Sequence, residues 1–285
     1  MYHAGLVLEG GGMKGLYTSG VLDYFMDQGL MFDTCYGVSA GAINMVSYIS
    51  KQRGRTLRVY SENLNNWRYL SIRSLLLTGD IFGADFCYRK IPEEIDLFDY
   101  EEYLKYEGKA YAVVTNIKTG KPEYIHLKDM KKDMEALRAS GSLPLVSRNV
   151  RIGDNLYLDG GVTDFVPFKK AMADGLKKNV VIMTKETGYK RKPAGKEIHL
   201  IRLKYRKYPE LVKAMEVRHK RYNAMLKELD KEEAAGNVFV IRPKKALPVG
   251  RLEKDVSKLK VAYDTGYQDA KEIYPKLMEY LLSAD

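Results

Sequence analysis

Gly10-Gly11-Gly12-Met13-Lys14-Gly15 is the stretch whose reading decides the fold of this chain. The run before it, His3-Ala4-Gly5-Leu6-Val7-Leu8-Glu9, is short and apolar enough for a buried strand. After it, Leu16, Val21, Leu22, Phe25 and Met26 recur at helical spacing until Gly29. Three consecutive glycines between a strand and a helix let the backbone approach a ligand closely, and they aim N–H groups at it beside a helix N-terminus. The loop is therefore suited to negative charge, either a resident phosphate or an oxyanion that exists only in a transition state.

Read as G-x-G-x-x-G, the loop matches a dinucleotide fingerprint, which also requires an acidic residue about 20 positions on, at the end of the second strand. Asp33 is the candidate, but it precedes the expected second strand, 34–38, instead of closing it. A phosphate-binding P-loop needs Gly-Lys-Ser/Thr, and here Gly15 is followed by Leu16 and Tyr17, which excludes it. A turn that serves close packing alone is the bland reading, and it yields only if another part of the chain answers to the loop.

Gly37-Val38-Ser39-Ala40-Gly41 answers to it. A strand-like run (Thr34, Cys35, Tyr36) leads in and a small-residue helical start (Ala40, Gly41, Ala42, Ile43) leads out. In this nucleophile-elbow pattern, flanking glycines permit a sharp turn that presents a serine Oγ at a helix N-terminus. Two successive strand–turn–helix units place both glycine turns side by side at the carboxyl edge of a parallel sheet. An ordinary α/β-hydrolase builds several strands before its elbow and then supplies Asp/Glu and His in that order. Here one strand precedes Ser39, and none of the four histidines, His3, His126, His199 and His219, sits in a marked turn. The proton acceptor is therefore sought among the carboxylates. Leu156-Tyr157-Leu158-Asp159-Gly160-Gly161, an alternating run ending in an aspartate at a double-glycine turn, supplies one, although an isolated Asp-Gly is ordinarily just a turn.

The order G-G-G-x-K-G, G-x-S-x-G, D-G-G resembles the patatin-like phospholipases, lipid acyl hydrolases with a Ser–Asp dyad and no catalytic histidine. Ala139-Ser140-Gly141-Ser142-Leu143-Pro144 is similar to the family's A-S-x-x-x-P segment, whose role is architectural. Lys14 stands where many members carry Arg, keeping the charge but losing the planar fork. The resemblance spans residues 4 to about 184. It implies Ser39 and Asp159 as catalytic residues, an oxyanion hole within Gly10, Gly11, Gly12, Met13, Lys14 and Gly15, a nucleophile elbow flanked by Gly37 and Gly41, and an Asp-Gly-Gly turn completed by Gly160 and Gly161. The implied fold is α/β, a three-layer α/β/α arrangement with a mostly parallel central sheet and a helical C-terminal extension.

The rest of the chain is compatible with that fold. Strands are expected at 109–116, 122–127, 180–184, 198–203 and 238–241, and helices at 129–140 and 165–174. One long amphipathic helix is expected over 209–235, with Lys213, Arg218, Lys220, Arg221 and Lys227 on its polar face, and a helical end over 251–282 interrupted at Tyr274-Pro275. The apolar and aromatic stretch 69–106 reads equally well as an acyl-binding cap or as ordinary core. No internal repeat or clean linker appears, so residues 1–184 form the expected catalytic core and 185–285 an extension packed on the same domain.

Composition narrows the class without choosing a substrate. With 285 residues, 45% hydrophobic, the chain can bury one large core. Two cysteines, Cys35 and Cys87, make no disulfide framework, and no apolar run approaches the roughly 20 residues that span a bilayer. A cytoplasmic protein is expected, with peripheral membrane contact open. No metal-ligand spacing and no cofactor motif is present, so neither a metal nor a cofactor is expected. Forty-seven Lys and Arg against 37 Asp and Glu leave a net charge of +10. No nucleic-acid module accompanies that charge, so the expected partners are a lipid or lipid-like ester and an anionic membrane surface, or else the charge is a solvated face. The reading is a phospholipase A- or lysophospholipase-like serine hydrolase; the alternative is a nucleotide-binding or catalytically silent lipid-sensing protein using residues 10–15.

Overall fold

The computed structural model describes residues 1–283, so the last two residues of the expected extension lie outside it. β1 (Tyr2–Leu8) and β2 (Phe32–Val38) lie parallel, with Leu8 opposite Gly37. Both strands end at one sheet edge and hand over to α1 (Gly15–Asp27) and α2 (Ala40–Ile49). Along each strand alternate residues enter different cores. Leu6 and Leu8 join the larger cluster and Val7 a second one; Cys35 and Tyr36 divide in the same way. A strand covered on both faces reads as an unbroken apolar run, which is what the segment before the glycine loop shows.

The sheet grows outward from this pair. β3 (Lys109–Asn116) runs parallel to β2, while β7 (Asn179–Ile182) and then β8 (Phe239–Ile241) extend the far side in parallel. β4 (Lys121–His126), β5 (Val150–Ile152) and β6 (Asn155–Asp159) complete an eight-stranded mixed sheet with antiparallel pairings. Helices cover both faces, giving the expected three layers. α11 (Val256–Leu282) packs along α1, where a Cβ on Gly20 or Gly266 would overlap the facing backbone. α7 (Phe168–Ala173) contributes Phe168 and Ala171 to the second core.

The structure corrects three expectations. Residues 198–203 belong to a helix, α8 (Glu197–Lys204), because Ile198 and Ile201 face one satellite core at helical spacing while β8 takes the sheet edge beside β7. The single helix over 209–235 is two, α9 (Pro209–Glu216) and α10 (Arg218–Ala234), broken at Val217, and the break turns Arg218 inward. The interruption at Tyr274-Pro275 is absent, and α11 continues through Pro275. Burial of Ala270 before it and Leu277 after it holds the axis against a local cost of about 3 kcal/mol.

The stretch 69–106 folds as α4 (Ile72–Thr78), a π-helical segment Phe86–Ile95 that contains Pro92, and α5 (Tyr100–Leu104). Its aromatics lie in the core and beside a cavity. Tyr69, Phe86 and Phe98 are buried in the main core, and Tyr69 and Phe98 also line the cavity described below.

Candidate active site

Strand register brings Ser39 and Asp159 together. β2 ends with Val38 opposite Val113 of β3, and β6 ends with Asp159 opposite Val114. Two strands of opposite direction thus finish against consecutive residues of a third, and the residues at their ends must meet. A Cβ on Gly160 would overlap the Val113 carbonyl, and one on Gly161 would touch Val38, so the double glycine lets the Asp159 turn lie flush against the elbow.

Ser39 sits at φ 56° and ψ −124°, in the left-handed region that non-glycine residues rarely occupy. Such backbone costs on the order of 1–3 kcal/mol and persists only where neighbours hold it. Ser140, fully buried at the end of α6 (Met130–Gly141), is one of them. Its Oγ accepts the Ser39 N–H at 2.9 Å and donates to the Val113 carbonyl at 2.7 Å. Gly37 and Gly41 give the crossing its room: a Cβ on Gly41 would stand 2.5 Å from the Leu8 carbonyl oxygen.

Asp159 is 2% exposed. Its Oδ1 accepts the Gly161 N–H at 2.7 Å, whereas Oδ2 is buried with no fully formed hydrogen bond. Burial pushes the carboxyl above the usual aspartate range, against the opposing influence of the Ser39 hydroxyl, the Gly161 N–H, Arg218 and Arg251. A buried carboxylate with one unengaged oxygen next to a serine hydroxyl is equipped to accept a proton.

The glycine loop closes the third side. A Cβ on Gly10 would be 2.9 Å from Ser39 Cβ, and Gly15 packs on Ala40 while its carbonyl accepts from Asn44 Nδ2 at 2.7 Å. The expected donors are not all free. The Met13 N–H donates to the Arg251 carbonyl at 3.1 Å, so the segment ahead of α11 occupies it. Gly11 and Gly12 keep their N–H groups clear of any hydrogen bond among the described residues. Lys14 is part of the turn and half-buried.

The loop is fastened from below by Glu9, which is 2% exposed. Its carboxylate accepts from the Thr184 N–H at 2.6 Å, the Thr184 hydroxyl at 2.9 Å and the Tyr222 hydroxyl at 2.5 Å. Arg218 donates to the Gly161 carbonyl through Nε at 2.7 Å and also through Nη2, and Arg221 donates to the Thr163 carbonyl at 2.8 Å. None of Glu9, Thr184, Arg218, Arg221 and Tyr222 is among the expected site residues. Glu9 carried a legible signal, a charge at the end of an otherwise apolar strand. Ser140 carried one too, within the A-S-x-x-x-P segment. Thr184, Arg218 and Tyr222 had none, since they reach the site only by folding.

A cavity of about 1330 Å³, counting its open mouth, joins these parts. Ser39, Asp159 and Gly10–Gly12 line it, with apolar walls such as Ile43, Tyr60, Tyr88 and Ile91. Among the described residues no histidine lines it. His3 is exposed and bonded to Asp33 at 2.5 Å, and His126 lies over Tyr111 with centroids 5.0 Å apart. Asp33 is at the start of β2, where Phe32 pairs with Tyr2, so it stands at the sheet edge opposite the glycine loop and cannot serve a nucleotide there.

Residues 6–172 match the family model described as Patatin-like phospholipase, and residues 208–282 match one described as Domain of unknown function (DUF6363). The chain is 31% identical over 182 residues to Uncharacterized protein YjjU of Escherichia coli (strain K12), covering 63% of this chain and 51% of that protein. It is 25% identical over 194 residues to Probable lipid hydrolase 463L of Invertebrate iridescent virus 6, covering 62% of this chain and 66% of that protein. The chain thus spans less than two thirds of either relative's length. Among solved structures, VipD from Legionella pneumophila aligns with a TM-score of 0.46 and 13% identity, over 97% of this chain and 67% of that one.

Proposed function

The chain belongs to the patatin-like phospholipase family, and from that premise we propose that it is a serine acyl hydrolase that cleaves carboxylic esters of lipids, in the manner of a phospholipase A or lysophospholipase. The observation that carries this reading is the convergence of Ser39 and buried Asp159 on consecutive residues of β3. Ser39 Oγ attacks the acyl carbonyl while Asp159 Oδ2 takes its proton. The Gly11 and Gly12 N–H groups hold the oxyanion, a role for which positive backbone dipoles need no reorganisation. The alcohol leaves with the proton from Asp159, and an acyl-serine remains. Asp159 then deprotonates water, which releases the acid. The aromatic and aliphatic walls contributed by residues 43–143 take the acyl chain.

In this reading residues 1–184 are the catalytic core, and the remainder is an extension that supports it through Tyr222, Arg218 and α11. Covalent labelling tests the proposal most directly. A fluorophosphonate should modify Ser39 in the wild-type protein and leave Ser39→Ala unlabelled, and the same substitution should abolish hydrolysis of p-nitrophenyl butyrate. Rapid labelling elsewhere, with Ser39 untouched, would refute it.

A further inference from the structure

The cavity that holds Ser39 has a second chemical character. Lys185, Arg191, Arg218 and Arg251 all line it, and all lie beyond the segment that matches the patatin-like family model. Among the described residues none of the four forms a salt bridge. Two carboxylates line the cavity as well, Glu9, which is hydrogen-bonded by Thr184 and Tyr222, and Asp159, which holds the Gly161 N–H through Oδ1 alone, so the four cations outnumber the acids beside them. Like charges gathered in a partly buried site oppose folding unless something negative joins them. Burial and the neighbouring cations push Lys185 down to about 8, although Glu9 opposes the shift.

Three of the four cations, Arg191, Arg218 and Lys185, are held in place, and Arg251 is exposed at the rim. Asn223 clamps residue 191 in both directions, accepting its N–H at 2.8 Å and donating to its carbonyl at 3.0 Å. The Arg191 guanidinium stacks 4.3 Å over Tyr222 and 5.7 Å over Phe165, and its Nε is buried without a partner. Arg218 lies 5.6 Å over the same Phe165, and Lys185 5.6 Å over Tyr189. A planar guanidinium with an unused donor, preorganised beside other cations, is the usual recognition element for phosphate. The aromatic faces next to it, which otherwise would attract a quaternary ammonium, are already covered by the chain's own cations.

We propose that Lys185, Arg191, Arg218 and Arg251 bind the phosphate of an anionic lipid ester, and that this cluster sets a preference for phosphatidic-type head groups over zwitterionic choline ones. The inference rests on the acyl-hydrolase reading for its substrate but concerns binding, which can be measured without turnover. In one cavity, the cations supply the head-group site and residues 43–143 the acyl site, with the serine in the shared wall.

Calorimetry on Ser39→Ala protein, below the micellar limit, tests it with three probes: dihexanoyl phosphatidic acid, dihexanoyl phosphatidylcholine and inorganic phosphate. The phosphatidic acid should bind about ten- to a hundred-fold more tightly than the choline lipid, because its phosphomonoester offers one more charged oxygen for a charge-assisted hydrogen bond where the choline diester brings a quaternary ammonium that the cations repel. Arg191→Gln should erase most of that ratio, and so should Arg251→Gln, whose side chain is exposed and whose replacement does not threaten the core. Equal affinity for the two lipids would overturn the proposal. Inorganic phosphate binding as tightly as phosphatidic acid would assign the cluster to a free anion and overturn the lipid assignment. Hydrolysis by the wild-type protein is scored separately on p-nitrophenyl butyrate: its absence together with selective phosphatidic acid binding would remove the enzymatic reading and leave the head-group site standing.

Discussion

Replacing Asp159 by Asn separates chemistry from folding. Asn retains an oxygen for the Gly161 N–H, now 2.7 Å from Oδ1, but substitutes an NH2 donor for the unengaged Oδ2. In the proposed mechanism Ser39 then loses its proton acceptor, and loss of a positioned general base should lower turnover by about 10²–10⁴-fold, about 2.7–5.4 kcal/mol of barrier. The effect on stability has the opposite sign. Burial raises the Asp159 pKa in the folded state, so the folded protein holds this proton more tightly than the unfolded chain does. The stability contributed by Asp159 is therefore complete below the unfolded value, about 3.9, and is lost as pH rises through the folded value. Asn does not titrate, so the stability of Asp159→Asn relative to wild type should improve across that window. Urea denaturation at a series of pH values, run beside p-nitrophenyl butyrate hydrolysis, reads both effects, and wild-type kcat/KM should climb with pH over the same window. An Asn variant within about ten-fold of wild-type activity, or one that loses more than about 2 kcal/mol at neutral pH, would refute the assignment.

Ser140→Ala strips partners from the Ser39 N–H and the Val113 carbonyl, both bonded to a fully buried hydroxyl, and should cost about 1–3 kcal/mol in denaturant midpoint along with a fall in kcat. Gly10→Ala puts a methyl 2.9 Å from both Ser39 Cβ and the Val38 carbonyl, so turnover should drop by about 10²–10³-fold if the loop's donors shift, and the overpacking should lower stability by about 1–3 kcal/mol in denaturant. Gln substitutions of His3, His126, His199 and His219, made singly, should leave most ester hydrolysis intact in a steady-state assay. Of the cations expected on the polar face of α9 and α10, Arg218 and Arg221 bond to backbone carbonyls while Lys213, Lys220 and Lys227 are exposed; reversing Lys220 and Lys227 to Glu should weaken sedimentation with anionic vesicles, by roughly 1 kcal/mol per engaged cation at low salt.

Local chemistry made much of this protein legible from residues alone. Gly-Gly-Gly after an apolar run, Gly-x-Ser-x-Gly after another, and Asp-Gly-Gly after an alternating one each encode a turn through the backbone freedom their glycines confer. Two strand–turn–helix units in series then dictate a parallel pair with both turns on one edge. The strand at Lys109–Asn116 appeared at its expected bounds because its apolar β-branched run and its hairpin partner are adjacent in the chain. Long-range pairing decided the rest. That Asp159 faces Ser39 depends on β6 and β2 meeting β3 at neighbouring residues, a register that neither strand's own sequence specifies. The segment 198–203 could alternate or spiral with equal local merit, and only the satellite core under Ile201 chose the helix. Arg218 looked like one cation of a solvated stripe until the break at Val217 aimed it at the Gly161 carbonyl. Sequence by itself determined which turns the chain can make. Tertiary structure decided which distant side chains share a cavity, because such contacts are set by sheet register and helix packing rather than by spacing along the chain.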